Sequence, residues 1–309
     1  MEAVISIRGL VKKYGALTAL DDVSLELQDA GPAGLIGKNG AGKTTLLSIL
    51  SGALRPDRGE VKVLGSSPEA GAIKGRISIL LQEANFRRGI PVAAQLRHFA
   101  RLLGMSRSEA RHSVQELLEQ TRNTAFANSK PGALSFGQRK RLAIVQALIG
   151  KPELVLLDEP SAGLDPVAAG EIRGLIREWS RSTAFIVSSH NLYEIEDICK
   201  TVIVLDRGRL LSHGAIAQFA AGSNLLNLVL NRPLTPDLKN KLLNLKEISG
   251  ITVNQSQPEK FTIQVQGEAH DRLTLQVQSM VVEQGFSIVM FSRGKTLADG
   301  VLDLVTPDK

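Results

Sequence analysis

Residues 4–8 (VISIR) and 23–28 (VSLELQ) alternate apolar and polar positions with a period of two. That is the pattern of strands with one buried face. Residues 33–37 (AGLIG) form a short apolar run ending in glycine, and KNGAGKTTLLSILSGAL then reads as a glycine-rich loop opening into a helix. Residues 60–64 (EVKVL) and 76–82 (RISILLQ) predict further strands. From about 92 to 149 the period becomes helical over AAQLRHFARLLGM, SRSEARHSVQELLEQ and RKRLAIVQALIG. The second of these opens with Ser106 and has Glu109 three residues on, the spacing of a capping box. Strand character returns at 153–157, 184–188 and 201–206, with helical stretches between. Strand, helix and strand in turn, with almost wholly apolar strands, predict a parallel sheet covered on both faces.

After about residue 222 the composition shifts towards Asn, Gln and Pro. The pattern there predicts a strand at 226–230, a helix at 236–245, strands at 251–255 and 260–266, a helix at 269–284, a strand at 286–291 and a helix at 296–304. The order βαββαβα is compatible with a small ferredoxin-like α+β unit. The expected organisation is a first domain over 1–221, with a helical subdomain at about 85–150, and a second over 222–309. Neither an internal repeat nor a low-complexity segment is evident.

Composition narrows the class. The chain has 309 residues, 43% hydrophobic and 22% charged, which excludes a mostly disordered protein. One cysteine, Cys199, excludes an internal disulfide and fits a reducing compartment. No apolar run approaches the roughly 18–20 residues of a membrane-spanning helix, and the start lacks the plan of a secretory signal. The expected location is therefore the cytosol, or a membrane surface where a partner holds the chain. The net charge of +6 is concentrated: residues 85–150 carry 11 basic and 3 acidic side chains. A nucleic-acid binder more often shows a broader basic footprint, and a solvated helical face accounts for this excess equally well. Nucleic acid is not an expected partner.

The chemistry begins at Gly37-Lys38-Asn39-Gly40-Ala41-Gly42-Lys43-Thr44, a complete GxxxxGK[ST] pattern with an apolar strand before it and an apolar helix after. Glycines let successive backbone N–H groups converge on one anion, and the helix presents its positive end to the same place. Lys43 is expected on the β- and γ-phosphates and the Thr44 hydroxyl on Mg²⁺, with Thr45 a weaker candidate behind it. A second GKT at 294–296 has Val289 where the first glycine is needed, so one nucleotide cassette is expected. Residues 154–159 (LVLLDE) put two carboxylates at the end of a buried strand, the edge where open parallel sheets bind ligands. Asp158 suits Mg²⁺, which takes oxygen ligands. Strand alternation sends Glu159 to the opposite side, where it would polarise an attacking water.

The remaining segments fit one family. In order, the chain carries GKNGAGKTT, Gln82 in ISILLQE, LSFGQ at 134–138, VLLDEP at 155–160, SAGLD at 161–165 and His190 in IVSSH. Over about residues 3–220 it resembles the ATP-binding subunit of ABC transporters. The resemblance implies a P-loop NTPase cassette with a mixed α/β sheet core and a helical subdomain, binding ATP and Mg²⁺. It implies a dimer, of two copies or of this chain with a paralogue, that sandwiches two ATP molecules. In it Ser135, Gly137 and Gln138 of one subunit hold the γ-phosphate bound to the other. Alone, that segment would be an ordinary helix cap. Glu159 and His190 are implied to orient the attacking water, with Lys43 and Gln82 completing the catalytic set. Gln82 would also sense Mg²⁺ and link to a separate transmembrane permease, which the basic helical region meets. Asp165 is implied to contact the opposite subunit, and Tyr14 to stack on the adenine. Phe136 departs from the family's commonest form, which has glycine, and puts the turnover rate in doubt. TLADGVLDLV near the end is similar to the closing helix of subunits serving ABC-2-type permeases, mostly exporters. The implied location is the cytoplasmic face of the inner membrane. A soluble ABC-type ATPase acting on ribosomes or nucleic acid is the alternative. Ribosomal ones usually carry two cassettes in one chain, and chromosome- and repair-type ones carry long coiled coils absent here.

Overall fold

The computed structural model describes residues 3–28, 31–82, 86–219, 224–254, 257–267, 271–294 and 297–305. The chain divides into two compact units, Met1–Ile216 and Ala217–Lys309. The boundary expected at 221/222 lies outside the described residues, as do the element ends expected at 85, 255, 269 and 296, and Lys295 and Thr296 of the second GKT.

The first unit opens with a long hairpin, β1 (Ile5–Tyr14) and β2 (Leu17–Leu27). The strand pattern seen at 4–8 continues to Tyr14, although the alternation fails there. Register shifts between Ile7 and Leu10 and beyond reset the faces, so burial runs Ile5, Ile7, Leu10. There follow β3 (Ala33–Ile36), α1 (Lys43–Leu50), β4 (Arg58–Val63), β5 (Ile77–Leu80), α2 (Val92–Leu102), α3 (Arg107–Gln120) and α4 (Phe136–Ala147). The unit continues with β6 (Leu154–Asp158), α5 (Pro166–Trp179), β7 (Ala184–Ser189), α6 (Leu192–Ile198), β8 (Thr201–Asp206) and β9 (Arg209–Ala215), and the short α7 (Ile216–Phe219) follows.

Two sheets form. β1 pairs antiparallel with β2 on one side and β4 on the other. The larger sheet has the order β5-β6-β7-β3-β8-β9. It is parallel from β5 to β8 and antiparallel only at the β9 edge, so the sheet is mixed. The β9 strand carries no apolar alternation strong enough to announce it; the turn Arg207-Gly208, with φ of 46° and 79°, makes it by folding the chain back on β8. Every residue of β3, β6 and β7 is buried. Leu46, Leu47 and Leu50 of α1 join Ile5, Leu20 and Val23 of the small sheet and Leu154, Leu156 and Ile186 of the large one in a single core. The α2 and α3 helices bury Leu96 and Ala100 with Val114 and Leu118, and α3 starts with the Ser106–Glu109 capping box.

The sheet register sets up the site. Asp158 lies opposite Ser188, and Ile36 opposite Ser189. The loop after β3, the acids ending β6 and the bend after β7 therefore leave the sheet along one edge.

The second unit contains β10 (Leu225–Leu230), α8 (Pro236–Leu243), β11 (Ile248–Val253), β12 (Lys260–Val265), α9 (Asp271–Glu283), β13 (Ile288–Arg293) and α10 (Leu297–Val305). Its sheet is antiparallel in the order β11-β12-β10-β13, a split βαβ arrangement. Alternation puts Leu226, Leu228 and Leu230 on one face with Phe261 and Ile263, where Leu238 and Leu242 of α8 and Leu273, Val277 and Val281 of α9 cover them.

Cys199 follows α6 and is buried. Burial, with a smaller contribution from the charge of Glu194, pushes its thiol far above the ordinary cysteine range. The thiolate is the reactive form. The native protein is expected to resist 5,5′-dithiobis(2-nitrobenzoate) at pH 8 and to titrate one thiol after unfolding in guanidinium. Prompt labelling of the native chain would show that this corner of the fold opens readily.

Candidate nucleotide-binding site

The phosphate loop joins the buried end of β3 to α1. Gly40 and Gly42 have φ of 83° and 102°, a region that side chains rarely adopt. At Gly42 a Cβ would also lie 2.6 Å from the Ala19 carbonyl oxygen, and at Gly37 one would lie 2.5 Å from that of Leu205. Gly208 N–H donates to the Ala41 carbonyl at 3.0 Å, while its own carbonyl accepts from Asp21 N–H at 2.8 Å. The β8–β9 turn thereby ties the loop to β2. Gly42 stands at the N-cap of α1 without any side-chain cap, which leaves the helix start to an anion.

Residues 38–45 line a cavity of about 470 Å³ together with Tyr14, Leu17, Thr18, Ala19, Gln82, Asp158, Glu159, Ala162 and His190. Of the expected residues, Tyr14, Lys38, Asn39, Gly40, Ala41, Gly42, Lys43, Thr44, Thr45, Gln82, Asp158, Glu159 and His190 thus share one cleft. Gly37 sits behind them, its carbonyl accepting from Lys43 Nζ at 2.7 Å. Thr44 Oγ1 donates to Asp158 Oδ2 at 2.6 Å, and Ser188 Oγ donates to Asp158 Oδ1. A hydroxyl and a carboxylate side by side under a phosphate loop are the hard oxygen donors that suit Mg²⁺. Among the described residues no cluster of three His, Cys, Asp or Glu can hold a metal alone, so a cation here needs phosphate and water oxygens too.

Glu159 corrects the sequence expectation. Alternation from Asp158 would send it to the other side of the strand, yet both carboxylates line the cleft. The strand ends at Asp158, and Glu159 adopts φ 49°, a left-handed conformation that turns its side chain back. Its N–H donates to Ser188 O at 3.2 Å and Ser188 Oγ at 3.0 Å. Its carbonyl accepts from Ala162 N–H at 3.2 Å and Lys140 Nζ at 2.6 Å. Oε2 lies 2.8 Å from His190 Nδ1. A carboxylate accepts, so Nδ1 is the donor in this contact and Nε2 is left free to accept. Oε1 lies 3.4 Å from Lys43 Nζ, without hydrogen-bonding geometry, and is a buried oxygen with no hydrogen-bond partner. Such an oxygen is placed to accept from a water.

Ser135, Gly137, Gln138 and Asp165 are not among the residues that line this cleft. Ser135 caps α4: its Oγ accepts from Gln138 N–H at 3.1 Å, and the Gln138 side chain accepts from Ser135 N–H at 2.9 Å. Asp165 caps α5, accepting from Val167 and Ala168 N–H at 3.0 Å each. The Phe136 ring, half exposed, covers Gly163, where φ is 75° and a Cβ would meet the ring at 3.4 Å.

Three residues that the sequence did not single out hold the site. Ser188 fixes Asp158 and the Glu159 backbone. Lys140 is 3% exposed and reaches the Glu159 and Ala162 carbonyls. Burial pushes its ammonium below the ordinary lysine range, against the pull of Glu159, Glu194 and Asp158. Glu194, also buried, accepts from Ser161 Oγ and from Ser189 Oγ, the latter at 2.8 Å. Lys140 lies in the basic run RKR and Glu194 in a charged helix, where a one-dimensional pattern reads both as surface residues.

Replacing Gly42 by alanine adds a Cβ against the Ala19 carbonyl at a positive φ. It is expected to cost about 1–3 kcal/mol of stability and to abolish binding of a fluorescent ATP analogue, as read by urea unfolding and by titration.

Comparison with known proteins agrees with the geometry. Residues 20–162 match the ABC transporter family model. The chain is 32% identical over 259 residues to the Nod factor export ATP-binding protein I of Paraburkholderia xenovorans, covering 82% of this chain and 85% of that relative. It is 32% identical over 213 residues to the uncharacterized ABC transporter ATP-binding protein YdbJ of Bacillus subtilis, covering 68% of each. The structure of cbiO1 from Clostridium perfringens, part of the ABC transporter complex cbiONQ, matches with a TM-score of 0.65 at 26% identity, over 72% of this chain and 92% of that one. With its phosphate loop, paired acids and histidine in one cleft, this chain belongs to the family of ABC transporter ATP-binding proteins and is an ABC-type ATPase.

Proposed function

We propose that this chain works as one half of an ATP-sandwich dimer, with a second copy or a paralogue, and powers export through a separate ABC-2-type membrane permease. The observation that carries this reading is the separation within one chain of the α1 start, which has no side-chain cap, from the Ser135 start of α4. The α1 start lies in the cleft, while the Ser135 cap of α4 is not part of it. A second subunit placing its Ser135, Gly137 and Gln138 over the cleft completes a cage that one chain leaves open. The Nod factor export relatives support export, and the cbiO1 structure supports membership of a larger transporter complex. Among the described residues no helix is long and apolar enough to cross a membrane. The proposed location is the cytoplasmic face of the inner membrane, on the permease. The second unit, proposed as a ferredoxin-like accessory domain over 222–309, serves regulation or dimer stability.

In this mechanism Tyr14 stacks on the adenine, a sequence-tolerant contact. Lys43 and the loop amides hold the phosphates. Thr44, Asp158 and Gln82 would hold Mg²⁺, which would neutralise charge developing on the phosphates. Glu159 Oε1, buried and without a hydrogen bond, orients a water and takes its proton. The water oxygen bonds to the γ-phosphorus as the bridging bond to the β-phosphate breaks, giving ADP and inorganic phosphate. His190 holds Glu159 through Nδ1 and turns Nε2 towards the γ-phosphate. Asp165 meets the opposite subunit. Closure on ATP and reopening after hydrolysis form the work cycle.

Glu159→Gln keeps the shape and removes the base. It is expected to lower kcat by about 10²–10⁴-fold, to leave ATP affinity intact and to elute as an ATP-dependent dimer. From solubilised native membranes the tagged variant is expected to bring down a polytopic membrane protein. Normal hydrolysis by the variant would overturn the assignment of Glu159; recovery of ribosomes with no membrane protein would overturn the transport reading.

A further inference from the structure

Lys140 is not among the residues that line the nucleotide cleft, yet its ammonium ends on the backbone of Glu159, whose buried Oε1 pairs with Lys43 without a hydrogen bond. It donates to the Glu159 carbonyl at 2.6 Å and to the Ala162 carbonyl at 3.3 Å. These two residues already close a turn through Ala162 N–H to Glu159 O at 3.2 Å. The turn is strained, with Glu159 at φ 49°, and a strained turn persists only where its surroundings hold it. Lys140 holds one side through the carbonyls. On the other, Glu194 holds Ser161 Oγ, and also Ser189 Oγ, which accepts from Asn191 N–H at 3.0 Å beside His190.

A buried ammonium is an expensive way to fill space, since desolvation opposes it and an apolar chain of equal length would pack as well. What a methylene cannot do is hold two carbonyls at a fixed distance from α4. Ser135 caps that helix five residues earlier, about 7.5 Å along its axis, and a helix start transmits displacement along its rigid body. The Phe136 ring lies 5.9 Å from Lys140 Nζ and against Gly163, the residue after the turn.

We propose that Lys140 is a positioning residue that couples the two nucleotide sites: the seating of the Ser135 end of α4 on one ATP sets, through the carbonyl of Glu159, the carboxylate that acts on the other. This rests on the sandwich reading given above. The ammonium makes its bonds with the turn in place, so α4 and the turn move together. Hydrolysis in each site then depends on occupancy of the opposite one.

The test uses the full chain with Lys140→Met, Lys140→Gln and Lys140→Arg, each checked for folding by thermal unfolding. Steady-state ATP hydrolysis is measured for each, and ATP-dependent dimer formation is measured with each change added to Glu159→Gln. The Met and Gln variants are expected to lose about 10- to 100-fold in kcat, as a misplaced group does, with KM for ATP unchanged within about twofold. The Hill coefficient for ATP is expected to fall from above 1 to about 1. Arg, which keeps a cation, is expected to recover cooperativity in part, and all three double variants are expected to dimerise. If Glu159→Gln alone does not dimerise with ATP, the sandwich reading fails and the coupling with it. If it dimerises while Lys140→Met or Lys140→Gln keeps the native Hill coefficient and kcat, Lys140 couples nothing. A native Hill coefficient of 1 with intact dimerisation overturns the proposal equally. Should the Met variant not fold, Gln and Arg give the same readout.

Discussion

The site depends on one buried carboxylate. Asp158 ends a strand whose five residues are all buried, and it is itself 3% exposed. An acid there is tolerable only where donors replace the water it has lost. Thr44 supplies one from the first turn of α1 and Ser188 another from β7. Satisfying that group fastens the phosphate loop to two adjacent strands of the sheet. The register that puts Asp158 opposite Ser188 is part of the chemistry as well as of the packing.

From that anchor the chain turns sharply. Ser188 serves twice, holding the Asp158 carboxylate and the backbone N–H of Glu159. This double contact stabilises a left-handed Glu159 and brings a second acid to the side already occupied by the first. Two carboxylates that a regular strand would separate are thereby placed under one loop, with Lys43 between Glu159 and the loop carbonyls. The positive charge of Lys43 offsets some of the repulsion such a pair would suffer. The grip on this turn from Lys140 and Glu194 is built from buried polar groups, which are costly unless fully satisfied.

The second unit obeys simpler rules. Its strands alternate, its helices place Leu273, Val277 and Val281 at four-residue spacing, and both patterns meet in one core. None of its described residues is among those that line the nucleotide cleft.

The sequence alone determined much of this protein. Periodicity places most strands and helices within a few residues, because a face that must be buried repeats at the spacing of its element. The phosphate loop is legible because its glycines are required by backbone conformation and close approach at Gly37, Gly40 and Gly42. Local signals also located the Ser106–Glu109 capping box, since both partners lie within one turn. What needed the tertiary structure is whatever depends on contacts far apart in the chain. The β9 strand exists because a tight turn lays it on β8. Glu159 faces the cleft because Ser188, 29 residues away, bonds its backbone. Lys140 and Glu194 look like surface charges in a linear pattern, and only packing against the turn at 159–162 buries them. Charge and spacing are written along the chain, but the side on which a group emerges and the partner it meets are fixed when separate strands align.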